Sequence, residues 1–289
     1  MTAATLPIPV SAAEVQPRDA VSVRHVDAFG GFDVMRGTYA RHSFPPHFHT
    51  TFAIGVMTRG ACALECRGAT YLLRAGYVVL LAPGEVHTGE QVGHEGWSNR
   101  VVYPSSNVVD SALAEGWGTP SRSLRFQSPV VDDAVLSAQV IQRHRALEES
   151  ESPLEQEAHT IELFATAFGT YSEQWTNQPR RHTAGMAAAR DYLHAHSAEA
   201  VTLTRLADIA GLSCFYFLRL FRVAFGVTPH VYLGLLRLER ARALLRTDSP
   251  IAQTAVTSGF SDQSHLTRFF KRVYGITPGV YARSVRGRA

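Results

Sequence analysis

Two stretches in the C-terminal third repeat one another, and that repeat limits the possible fold more tightly than anything else in the chain. The first copy runs Leu203–Ala210, then Gly211-Leu212-Ser213, then Cys214–Phe225. The second runs over residues 251–258, then Gly259-Phe260-Ser261, then residues 262–274. Each closes on Gly-x-Thr-Pro, as Gly226-Val227-Thr228-Pro229 and Gly275-Ile276-Thr277-Pro278. In each copy the physics is coherent. A short helix puts Leu203, Leu206, Ala207 and Ala210 on one face, and small Ala207 and Ala255 let a second helix come close. Gly211 and Gly259 supply the left-handed turn that ends the first helix, and Ser213 and Ser261 cap the next. Phe217 with Phe221, and Leu266 with Phe270, bury the second helix against the first. This is the helix-turn-helix unit, whose second helix enters the major groove of DNA. Two copies joined by one long helix, from Thr228-Pro229 to about Arg246, say far more than a single helical hairpin would.

Charge placement agrees. Residues 184–289 carry 14 of the 28 basic residues but 6 of the 25 acidic ones, a net +8, whereas the remainder nets −5. A polyanion partner would meet the C-terminal third. Hydrophobic residues make up 45% and charged residues 18% of the 289, which excludes a disordered chain. The longest apolar stretch, residues 77–81, is too short to span a bilayer. Residues 1–20 lack a basic start and an apolar core, so no signal peptide and a cytoplasmic location are expected. Cys62, Cys66 and Cys214 are too few for a disulfide framework or a four-sulfur zinc site and read as free thiols.

The rest of the chain is organised differently. Residues 21–126 show short runs (52–57, 61–66, 70–73 and 77–81) broken at Arg59-Gly60, Arg67-Gly68 and Ala75-Gly76, the pattern of an antiparallel sandwich or barrel. Ser152-Pro153-Leu154-Glu155 is a capping box with Pro at the first helical position. Leu154, Ala158, Ile161, Ala165 and Phe168 then form a narrow stripe like a helix-pairing seam. Residues 132–147 are also helix-like. The two helices either cover the β-region or form a dimer interface.

The helical repeat resembles the DNA-binding domain of the AraC/XylS family of bacterial transcription regulators. The likeness is carried by Gly259 through Leu266, by Phe270-Lys271-Arg272, by Thr277-Pro278, and by Arg237-Leu238-Glu239-Arg240-Ala241 on the linking helix. It implies two recognition helices in successive major grooves on one DNA face. The first offers Cys214, Phe215, Leu218, Arg219 and Arg222. Arg219 suits guanine edges, while Phe215 and Leu218 either meet thymine methyls or pack on protein. The second offers Gln263, Ser264, His265, Thr267, Arg268, Lys271 and Arg272, with Gln263 and Arg268 suited to bases and Ser264, Lys271 and Arg272 to phosphates. Arg237 and Arg240 read as structural ion-pair residues.

Upstream, Pro45-Pro46-His47-Phe48-His49, Gly60, Gly76 and Pro83-Gly84-Glu85-Val86-His87 resemble the cupin pattern of the same family's sensor domain. Metal cupins use three His and a Glu, but Thr50-Thr51-Phe52-Ala53 lacks that Glu, and neither Glu65 nor Glu85 takes its place. His47, His49 and His87 are therefore open to three roles: metal ligands, polar groups of a small-molecule pocket, or structural residues. The pocket is the reading adopted, with Phe52, Trp97, Arg100 and Tyr103 as further lining, and with no metal or other cofactor.

The expected architecture is α+β with two domains, a cupin-like β-barrel with flanking helices followed by an all-α domain with two helix-turn-helix units. A flexible arm (1–20) precedes an effector-sensing domain (21–128) and a helical dimerisation or coupling region (129–173). A linker (174–185) leads to the DNA-binding domain (186–285), with units at about 203–225 and 251–274. The expected function is a cytoplasmic, dimeric, non-enzymatic regulator, with an activator as the working expectation although the residues do not separate activation from repression. Its expected partners are double-stranded DNA, a small-molecule effector, a second copy of itself and RNA polymerase, and no membrane. The alternative is a metal-dependent cupin enzyme carrying a nucleic-acid-binding module.

Overall fold

The computed structural model describes residues 19–113, 124–174 and 183–286. Most of the expected arm and linker lies outside them. The chain opens with β1 (Ala20–Val26), β2 (Phe32–Tyr39), β3 (Phe44–His47), β4 (Ala53–Cys66), β5 (Ala69–Arg74), β6 (Val78–Leu81), β7 (His87–Gln91) and β8 (Trp97–Tyr103). Then come α1 (Ser106–Ala112), β9 (Leu124–Phe126), β10 (Val130–Val131), α2 (Ala134–Glu149), α3 (Pro153–Tyr171) and β11 (Ser172–Gln174). The C-terminal part is α4 (Thr183–Ala195), α5 (Leu203–Ala210), α6 (Cys214–Phe225), α7 (Pro229–Leu245), α8 (Ile251–Thr257), α9 (Gln263–Tyr274) and α10 (Pro278–Arg286). Among the described residues no helix is long and apolar enough to cross a membrane.

The cupin-like sheet has nine strands. The order β1-β2-β8-β4-β6-β10 is joined by β5 and β7 on β4, with β3 on β7, and the sheet curves without closing into a barrel. Strand β4 makes this possible. Its first half pairs with β6 and β8, and its second half pairs with β5 and β7. Arg59-Gly60, expected as a turn, instead lies inside this strand, next to a register shift between Met57 and Arg59. Gly60 has φ +69°, and a Cβ there would press on the Gly96 carbonyl, so the strand bends without breaking. Arg67-Gly68 is a true two-residue hairpin turn with both φ positive.

Alternation divides the sheet into two faces. Val34, Ile54, Val56 and Val102 point to one side, where α1, α2 and α3 cover them around Phe126, Phe164 and Phe168. Met35, Tyr39, Met57, Trp97 and Val101 point to the other and share one apolar cluster with Phe217, Leu236, Phe270 and Tyr281 of the helical part. The inner sheet face and the DNA-binding helices therefore have a common core. The outer helices also settle which way α3 faces. Its buried residues include Gln156, Thr160, Leu163, Phe164, Ala167 and Phe168, whereas Leu154, Ala158, Ile161 and Ala165 of the expected seam face outward.

The most deeply buried of the charges between the two parts is a carboxylate on the sheet. Asp33 on β2, in phase with Met35 and Tyr39, is 2% exposed. The guanidinium of Arg246, the residue that caps the end of α7, lies 2.9 Å from it, that of Arg242 on α7 3.5 Å, and the Tyr281 hydroxyl of α10 donates at 2.6 Å. His25 Nδ1 of β1 completes the set at 2.8 Å. Burial opposes the charge, but the His25 hydrogen bond, the two arginines and Tyr281 outweigh it and hold Asp33 well below the usual carboxylate range. Because this pKa is lowered by folding, the associated stability is present above the unfolded value of about 4 and is lost as pH falls below it. Asp33→Asn is expected to cost about 3–5 kcal/mol at neutral pH, since it strands two cations. In urea unfolding as a function of pH, the wild-type and variant stabilities should begin to converge below about pH 4 and meet only in strong acid, below the lowered folded-state value.

Candidate DNA-reading faces and candidate effector pocket

Both helix-turn-helix units are built as their local sequences require. Thr202 caps α5 by accepting from the Arg205 N–H, and Gly211 ends it in the left-handed region. Ser213 caps α6 through the Tyr216 N–H. In the second unit the cap of α9 is Asp262, which accepts from the His265 N–H at 2.7 Å, and not Ser261 as expected. Ser261 instead hydrogen-bonds Asp262 and His265 Nδ1. Two acceptor positions were available at this turn, and the carboxylate, with full charge against the helix N-terminus, is the better one. Ala207 and Ala255 are fully buried where the paired helices meet, as are Phe217, Phe221, Leu266 and Phe270.

The opposite faces are open. On α6, Phe215 is 79% exposed, Arg219 and Arg222 are exposed, and Cys214 and Leu218 are half-buried. On α9, Gln263, Ser264, Arg268, Lys271 and Arg272 are exposed, and His265 and Thr267 are half-buried. Docking against the sheet thus leaves both candidate reading faces free. Arg237 and Arg240 are structural in a different way from the one expected. Arg237 donates to the carbonyls of Ser197 and Glu199, and Arg240 donates to that of Thr257, so their partners are backbone carbonyls and not carboxylates.

The concave side of the sheet encloses a cavity of about 90 Å³. His47, His49 and His87 line it, together with Trp97, Val101 and Tyr103 of β8. Two expected lining residues are elsewhere. Arg100 is out of phase with Trp97, Asn99, Val101 and Tyr103, so period two sends it through the sheet to α2, where it meets Glu148 and His144. Phe52 lies in the opposite core against Phe126 and Phe168. The wall also contains Val273 and Tyr274, the last residues of α9. Their side chains bring α9, the second candidate DNA-reading helix, to the edge of the cavity.

Burial and the neighbouring histidines push His47 and His49 well below the ordinary imidazole range, Arg242 adds to this at His49, and burial also lowers His87. All three are therefore neutral near pH 7. Burial likewise pushes the Cys62 thiol up to about 12 and that of Cys66 up to about 11, leaving both unreactive. Behind this wall the Tyr274 hydroxyl donates to Glu239, which also accepts from Thr50 at 3.1 Å and faces Arg242 at 3.4 Å. The sequence pattern does not single out Asp33, Arg242, Tyr274 or Tyr281, and Glu239 stands in it only as part of the Arg237–Ala241 run. A charge inside Phe32-Asp33-Val34-Met35 was the one available signal.

Two family models match the chain: the AraC-like ligand binding domain over residues 29–164 and a helix-turn-helix domain over residues 206–284. An uncharacterized HTH-type transcriptional regulator of Bacillus subtilis (strain 168), YbfI, is 28% identical over 243 residues, covering 84% of this chain and 86% of the relative. The RCS-specific HTH-type transcriptional activator RclR of Escherichia coli (strain K12) is 27% identical over 249 residues, with coverage of 80% and 84%. Fatty-acid-bound ToxT of Vibrio cholerae superposes with a TM-score of 0.55 at 16% identity, over 94% of this chain and 97% of its own, a likeness of fold. With a ligand-binding sheet domain ahead of tandem helix-turn-helix units, the chain belongs to the AraC/XylS family of DNA-binding transcription regulators.

Proposed function

We propose that this regulator reads DNA with α6 and α9 and is controlled by an effector bound in the sheet cavity. The observation that carries the proposal is the position of Val273 and Tyr274, which belong to a reading helix and also wall the cavity. An occupant that packs differently against Tyr274 changes the free energy of docking α9, which is the differential interaction that coupling requires. On α9, Gln263 and Arg268 would meet bases, and Ser264, Lys271 and Arg272 the phosphates, with His265 and Thr267 beside them. On α6, Arg219 and Arg222 would supply the polar contacts, and Cys214, Phe215 and Leu218 an apolar one. Phe215 at 79% exposure suits a thymine methyl better than it suits water.

The role is regulatory rather than catalytic, in line with the whole-length relatives, and the name of RclR favours activation. On this reading the chain works in the cytoplasm as a homodimer, and activation brings it to RNA polymerase. Residues 21–128 are the sensing domain, 129–173 the dimerisation and coupling region, and 186–285 the DNA-binding domain. The outward stripe of α3, with Leu154 75% exposed and Ile161 beside it, is the surface for the second copy.

Binding to a site selected from random DNA checks the reading assignments. Arg268→Ala should cost roughly 1–3 kcal/mol and relax preference at one or two base pairs, a discrimination that a bidentate contact supplies. Lys271→Ala should weaken all sequences alike and reduce the salt slope by about one. If neither variant changes binding, the groove assignment is wrong. For the dimer, Leu154→Glu combined with Ile161→Glu should give a folded monomer in sedimentation velocity, and an unchanged dimer would rule out this face.

A further inference from the structure

His47 ends β3, His49 follows two residues later, and His87 begins β7, where strand pairing sets it opposite His47. One ring nitrogen from each lies within 4.8 Å of the other two, and all three side chains are buried. The backbone has already chosen which nitrogens are available. His47 Nδ1 lies 2.8 Å from the Pro45 carbonyl, and His87 Nδ1 lies 3.0 Å from the Glu85 carbonyl. A carbonyl only accepts, so each Nδ1 carries the proton and each Nε2 keeps a lone pair, the outer arrangement that orients metal-binding imidazoles. His49 Nδ1 is buried with no hydrogen-bond partner, as are the Tyr39 hydroxyl, Trp97 Nε1 and Asn99 Oδ1 in the same cavity wall, and such a group of unpaired polar atoms calls for a ligand or water. The cavity beside them has room for several water-sized spheres, which suits an ion with its remaining ligands better than a bulky molecule.

We propose that His47, His49 and His87 bind a divalent transition-metal ion, and that this ion is the signal sensed by the cavity. The second half rests on the reading of the cavity as the effector site. Three imidazoles and no carboxylate suit zinc, iron, cobalt, nickel or copper rather than magnesium or calcium. Glu85 does not serve as a fourth ligand, because Arg67, Arg125 and the Ala82 N–H hold its carboxylate. A fourth position is thus left to water or a small anion from the cavity. Bonds of roughly 2.0–2.1 Å to a tetrahedral ion would draw the three nitrogens to roughly 3.4 Å of one another. That contraction moves the His49 ring, which stacks on Tyr274 with centroids 6.3 Å apart at 25°. Tyr274 in turn holds Glu239 and lies against Arg242, so the movement reaches α9 and α7 directly.

The test uses the full chain, stripped of metal with a chelator and then titrated with Co²⁺, followed by Zn²⁺. The expected result is one Co²⁺ per chain, with the visible absorption of a four-coordinate nitrogen-ligated site, displaced by Zn²⁺. His49→Gln and His87→Gln should each lose that absorption while keeping the wild-type circular dichroism. If a variant does not fold, a Zn²⁺-dependent rise in the wild-type melting temperature serves instead. Wild-type protein that takes up no stoichiometric Co²⁺ and shows no Zn²⁺-dependent rise overturns the metal site, as do variants that bind Co²⁺ equally well. Affinity for a selected DNA site should change about fivefold or more on saturation with Zn²⁺. Stoichiometric metal with unchanged DNA affinity overturns the signalling half. A metabolite that shifts DNA affinity in chain that takes up no metal overturns the metal and keeps the cavity as the effector site.

Discussion

The charge on Asp33 is the constraint on which the arrangement of this molecule depends. A carboxylate on the inner face of a strand loses several kcal/mol of hydration, and one partner rarely restores that loss. Here the compensation comes from three elements: His25 on β1, Arg242 on α7 with Arg246 at its C-terminal cap, and Tyr281 on α10. Two of those elements belong to the DNA-binding part. The Asp33 carboxylate is therefore compensated in full only while the linking helix and the last helix are docked on the sheet.

Docking then determines what the cavity is. The sheet curves but does not close, and Val273 and Tyr274 supply wall where strands do not. Behind the Tyr274 wall the contacts are polar and shared, since Thr50 of the sheet part and Tyr274 of α9 both donate to Glu239 of α7. Nearby, Phe48 packs on Tyr232 with ring centroids 4.7 Å apart. An occupant of the cavity therefore acts on an interface held by a few buried polar groups, where small displacements carry large electrostatic consequences. Of the candidate DNA-contacting residues, Phe215, Arg219, Gln263, Ser264 and Arg268 are exposed, whereas Arg222 and Arg272 also line a cleft beside Pro45 and Pro46 of the sheet part.

Much of this was legible along the chain because it is local. The turn glycines, Thr-Pro starts, small alanines and apolar pairs of the two helix-turn-helix units act within about a dozen residues of one another. The corresponding helices run over Leu203–Ala210, Cys214–Phe225, Ile251–Thr257 and Gln263–Tyr274. Local signals were less secure where two choices were chemically close. Asp262 took the cap expected at Ser261, and Gly60 proved to mark a bend within β4 and not a turn.

The sequence alone determined the class of each part, the order of the parts and the helix pairing within each repeat, because periodicity and capping chemistry are written in neighbouring residues. Its likeness to the cupin pattern also brought His47, His49 and His87 into one candidate set. Tertiary structure alone decided that Arg100 and Phe52 leave the cavity, because alternation has no absolute phase until a sheet has an inside. It alone brought Asp33 to Arg242 and Tyr281, about two hundred or more residues away, because no local pattern encodes which buried charge meets which.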